Sequence, residues 1–234
     1  MTAQKATMAD WLALHGVTAQ ACLVVLDRAG PIAAKAADPV WQQDPNLTWR
    51  LVADLLTPFF PAQNPQFGDG LIAQTWTRTR TDFSGAKRGT VRGFTLHDDG
   101  TGRPMVVATP KGRLSDLATL AHEFGHAAQI IACAGVAMPP ALREVCACLS
   151  EQMALSGLTE CDPERARLAQ TWLAGRGSRQ RQDLRAALHS PGAAYRYDWN
   201  YPLARAVVQG MAQMSAAERL RLFSGRLPLI ELIQ

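Results

Sequence analysis

The stretch LSDLATLAHEFGHAAQIIACA, residues 114–134, decides how this chain reads. Its Leu114, Leu117, Leu120, Ala121, Phe124, Ala128 and Ile131 recur at helical spacing, which predicts one long apolar helix with Ser115 and Asp116 near its start. Inside it lies His122-Glu123-Phe124-Gly125-His126. Side chains four residues apart share a helix face, so both imidazoles can point at one ion, and Glu123, beside the first, can reach a water held there.

Two ligands do not complete such a site, because a catalytic zinc usually takes three protein groups and keeps its fourth position open. The third is expected from the next helix, which Pro139 and Pro140 announce after the turn over 135–138. Glu144 lies about one turn into that helix and can face the paired histidines once the chain has returned antiparallel. Glu151, seven residues on, falls on much the same face and can hydrogen-bond a ligand imidazole from behind.

Working outward, the runs Thr90 to Leu96 and Pro104 to Thr109 flank a turn-forming DDGTG at 98–102, a β-hairpin immediately before the motif helix. The rest reads as helix. Thr7 precedes Met8 to Leu14, and Asn46 precedes Trp49 to Leu56, which Pro58 and Pro61 stop. Asp162-Pro163 opens a helix that Gly175 closes, and Ser215 with Glu218 stands at capping-box spacing before Leu220 to Phe223. The expected fold is mainly α with one small hairpin, a single compact unit over 1–234. The Pro, Gln and Asn-rich segment 61–67 is where it would divide into two lobes, a helical part over 1–66 and a catalytic core over 67–234.

Composition narrows the classes. With 234 residues and 47% apolar content the chain can bury a full core. The opening MTAQKATMADWLALHGV sets Asp10 and His15 around a short apolar stretch, unlike a secretory leader, and no segment approaches the roughly 20 apolar residues of a membrane span. A cytoplasmic protein without a membrane partner is expected. Five cysteines without paired spacing argue against a disulfide framework and against a thiolate zinc site. A net charge of +4, with Arg78 and Arg80 in one cluster and Arg176, Arg179, Arg181 and Arg185 in another, reads as solvated faces and not as a nucleic-acid footprint.

The wording around the motif resembles the catalytic core of the thimet oligopeptidase and oligopeptidase F family of zinc metallopeptidases. The residues that carry the resemblance are Lys87-Arg88-Gly89, the run Pro104 to Thr109, GRLSDLATLAHEFGH at 112–126 and EVCACLSE at 144–151. The resemblance implies a helical zincin-like catalytic domain with one zinc ion on His122, His126 and Glu144, and it favours Glu144 over Glu151 as ligand. It also implies that Tyr197 and Tyr201, in YDWNY, hydrogen-bond the substrate carbonyl and the developing oxyanion. His189 lies upstream of them as a family histidine does, at longer spacing. Two departures stand out: Gln129 occupies the place of a further histidine, and the chain is much shorter than typical members, which implies that most of the helical dome over their substrate channel is missing.

The chemistry expected is hydrolysis of a peptide bond in a peptide or protein substrate, with Glu123 as general base and the two phenols as oxyanion donors. The strand from Pro104 to Thr109 offers a backbone along which an extended peptide could pair. Two other readings stay open: hydrolysis of a nonpeptide amide at the same zinc, and a metal-stabilised binding or maturation factor without turnover.

Overall fold

The computed structural model describes residues 6–30, 37–41, 43–60, 70–84, 93–97, 103–211 and 213–233. Within them the chain runs through helices α1 (Met8–His15), α2 (Ala19–Arg28), α3 (Pro45–Leu56) and α4 (Leu71–Arg78), then strands β1 (Arg80–Asp82), β2 (Gly93–Leu96) and β3 (Met105–Ala108). Two long helices follow, α5 (Leu114–Cys133) and α6 (Pro140–Cys161), and then α7 (Pro163–Ala174), α8 (Ser178–Leu188), α9 (Asn200–Gln209), α10 (Ala216–Phe223) and α11 (Leu229–Leu232). The mainly helical fold with a small sheet before the motif helix is borne out. No single helix among the described residues is long and apolar enough to cross a membrane.

Local chemistry sets the helix starts. Thr7 and Asp10 close a capping box on α1, and Ser215 with Glu218 closes another on α10. Asp162 caps α7 and Gly175 ends it. The second expected helix begins earlier than Asn46: Asp44 accepts from the amides of Asn46 and Leu47, and Pro45 fills the first helical position. A carboxylate followed by proline is the stronger start signal, because it satisfies two free amides where proline needs none.

The sheet has the order β1-β3-β2. β2 and β3 form the expected antiparallel hairpin, and β1 pairs parallel to β3 on its other side. β1 was not foreseen, since Arg80-Thr81-Asp82 carries no apolar alternation. It also corrects one expectation: β3 is hydrogen-bonded along both edges, so it cannot take up an extended peptide, and β1 and β2 are the outer strands among the described residues. Residues 61–67, 87–92 and 98–102, which hold the expected lobe boundary, the Lys-Arg-Gly segment with the first strand residues, and the hairpin turn, lie outside the described residues.

α5 and α6 pack as an antiparallel pair through the middle of the core and are buried on nearly every face. Gly125 sets how close they come. A Cβ there would stand 2.6 Å from Ser150 Oγ and 2.8 Å from Ala147 Cα, so only glycine lets the helices meet at this level. α3 lies across both and α9 packs along α6. The start of α6 is held from a distance: His15, at the end of α1, accepts from the Ala141 amide at 3.0 Å through Nε2, with Nδ1 2.7 Å from the Trp11 carbonyl as donor.

Candidate metal centre

The α5–α6 pair brings His122, His126 and Glu144 to one point. His122 Nε2 lies 3.3 Å from Glu144 Oε2, and His126 Nε2 lies 3.6 Å from Glu144 Oε1. One ligand atom from each residue falls within 4.8 Å of the others. Atoms held tetrahedrally on bonds of about 2.0–2.1 Å to zinc stand about 3.3 Å apart, so the spacing fits. The hydrogen-bond state argues the same way. Glu144 is about 1% exposed, yet its Oε2 accepts no hydrogen bond, because the nearby His122 Nε2 carries a lone pair when Nδ1 donates to Glu151. A buried carboxylate oxygen without a partner is costly unless a cation sits against it.

A second group, His122, Cys148 and Glu151, also gathers within 4.8 Å, but its chemistry is different. Glu151 accepts from His122 Nδ1 at 2.7 Å and from the Arg205 guanidinium at 2.8 and 3.0 Å, one bond to each oxygen. Burial would raise the Glu151 carboxyl, but the Arg205 charge outweighs it and holds the group well below the usual carboxylate range. Glu151 is thus fully engaged, and it fixes His122 with the proton on Nδ1 and Nε2 turned toward Glu144. Arg205 went unnoticed in the sequence; its only signal there is a single cation in the apolar run LARAVV at 203–208.

The imidazoles feel opposite fields. Burial and the neighbouring His122 push His126 down to about 4, which keeps a lone pair free. Burial also opposes a charge on His122, but Cys148, Glu144 and Glu151 together raise it well above its ordinary value.

Glu123 turns to the other side, under the sheet. The Thr95 hydroxyl of β2 donates to Glu123 Oε2 at 2.7 Å, leaving Oε1 without that bond. A Cβ on Gly93 would sit 3.2 Å from Oε1, so β2 is pared down where the carboxylate lies. Burial raises the Glu123 carboxyl, which makes it a stronger proton acceptor. Neither Gly93 nor Thr95 was singled out from sequence, because their partner is some thirty positions away.

On the open side, Tyr197 donates to Glu144 Oε1 at 2.7 Å and accepts from Arg143 at 3.3 Å. The Tyr201 ring stands 5.9 Å from the His122 ring and 6.1 Å from that of Tyr197. Burial and the Glu144 charge push Tyr201 up to about 12 and raise Tyr197 as well, so both phenols keep their protons near neutrality. Fully buried Asn200 anchors this segment, donating to the Tyr197 carbonyl and the Tyr195 hydroxyl while accepting from Trp11. His189 is not brought in. It lies exposed at the C-terminal cap of α8 and takes no part in the contacts just described. Gln129 donates to Cys133 Sγ within α5.

No protein-family model and no curated protein matches the sequence. Among solved structures the chain is similar in fold to PZ peptidase A, determined with an inhibitor. The two are 15% identical with a TM-score of 0.56 over all of this chain and 55% of that one, so the chain spans about half the length of that peptidase.

Proposed function

We propose that the chain is a zinc-dependent peptidase of the thimet oligopeptidase and oligopeptidase F kind. The observation that carries this reading is the buried Glu144 carboxylate facing both imidazoles, its unpaired Oε2 beside His122 Nε2 and its Oε1 beside His126 Nε2, with a second carboxylate, Glu123, one residue from the first of them. His122, His126 and Glu144 would hold the zinc ion, which when bound polarises a carbonyl and makes a neighbouring water acidic near neutral pH. The donor set, two imidazoles and a carboxylate, suits zinc.

Glu123 takes the proton of the attacking water and passes it to the departing amine, with Thr95 occupying one oxygen so that the other does the transfer. Tyr197, whose hydroxyl already points into the cluster, supplies a donor to the oxygen that becomes negative in the transition state, and Tyr201 stands beside it. A peptide substrate is supported by the outer strand β2. An extended backbone added along that edge would run past Thr95, the residue that holds Glu123.

The test is Glu123→Gln, assayed on internally quenched peptides with elemental analysis of the same sample. One zinc per chain is expected in both proteins, with turnover lower by roughly 10²–10⁴-fold in the variant. A variant that holds its zinc and cleaves at the wild-type rate would remove the assigned base.

A further inference from the structure

Behind the metal centre, a cavity of about 360 Å³ opens between α6, α7, α8 and α9. Arg205, whose guanidinium grips Glu151, lines it, and so joins it to the support of His122. Leu155, Leu173 and Pro202 form apolar wall, Gln152, Gln170 and Gln209 add neutral polar groups, and Arg176 and Arg181 also line it. No carboxylate is among the described residues that line it.

Among the described residues, Arg181 has like charge close by and no carboxylate beside it in the lining. Burial and the like charge of Arg185 lower the Arg181 guanidinium, and Asp27 only partly offsets them. Asp27 itself is bound to Arg185. Arg176 lies over the Trp172 ring at 4.7 Å. Thus two members of the arginine cluster expected to be a solvated face instead line a recess. Its volume is that of a small-ligand pocket, with apolar walls and a few polar groups to orient what enters.

We propose that this cavity is a binding site for a small organic acid, an apolar body that carries one carboxylate, seated between the apolar wall and Arg181. The body takes the place of water against Leu155 and Leu173, and the carboxylate meets a cation that its own neighbours repel. The site is separate from the metal centre and stands whether or not the chain cleaves peptides.

Calorimetric titration of the zinc-loaded full chain with 2-naphthoate and with its neutral isostere 2-naphthamide tests it. One equivalent of naphthoate is expected to bind, about tenfold or more tighter than the amide. Arg181→Gln should bring naphthoate down to the level of the amide and leave the amide unchanged. Ala174→Trp, at the exposed rim, should close the mouth to both compounds. Absence of saturable naphthoate binding, equal affinity for acid and amide, or naphthoate binding that survives both substitutions and so belongs to the metal centre would each overturn the proposal.

Discussion

Glu144 and Glu151 stand two turns apart on α6, each about 1% exposed, and their surroundings treat them oppositely. Around Glu151 both oxygens are used: an imidazole and a guanidinium converge on it through three hydrogen bonds. Around Glu144 one oxygen meets a tyrosine and the other meets nothing that donates to it. In the proposed site the contrast separates a residue that would support from one that would bind. A buried acid with all its bonds made gains little from an ion, whereas one with an empty oxygen beside an imidazole nitrogen would be completed by it.

The sharpest way to break this contrast is to replace each acid with leucine. Glu144→Leu should abolish zinc binding at micromolar metal, and the metal-free protein should melt no lower than metal-free wild type, since an unsatisfied carboxylate has been removed. Elemental analysis and calorimetry on stripped protein check both halves. Glu151→Leu should do the reverse in stability: the Arg205 side chain, 19% exposed, loses its partner, at a cost of about 3–5 kcal/mol. Zinc affinity should fall by only roughly 10–100-fold, as for a lost outer partner. Adding Arg205→Leu should restore most of the stability but not the affinity, because His122 Nδ1 still lacks an acceptor. Equal behaviour of the two leucine variants would erase the distinction.

A smaller effect sharpens it further, at the end of α6 nearest Glu144. His15 holds the Ala141 amide through a bare Nε2, and burial lowers its imidazole below the ordinary value. The unfolded chain takes up a proton near pH 6.5 that the folded one resists, so this contribution is whole above that pH and is lost as pH falls toward the lowered folded value. His15→Leu should cost about 1 kcal/mol at pH 7.5, a few degrees in Tm, and the gap to wild type should close toward pH 5. A gap independent of pH would mean that the imidazole does not cap the helix as a neutral acceptor.

Much of this was legible in the residues. The 3.6-residue period of α5, the prolines that open α6 and the distance to Glu144 follow from spacing within one hairpin, where neighbours in sequence remain neighbours in space. The hairpin before α5 was legible for the same reason. What escaped is long-range: Arg205 meets Glu151 across 54 positions, Thr95 meets Glu123 across 28, and His15 reaches Ala141 across 126. β1 escaped because three polar residues have no period to read. His189, carried over by resemblance into a segment of longer spacing, stands exposed at the cap of α8.

The glycine at 125 carries a consequence for the whole centre. His122 and His126 ride on one helix and Glu144 on the other, so the gap between the two axes is the bite of the claw that must close on an ion. Even one methyl group at residue 125 would wedge the jaws open by pressing on Ala147 backbone, which has no rotamer to yield. If the proposed site holds its ion, the tightness of that hold is written partly in a side chain that is not there.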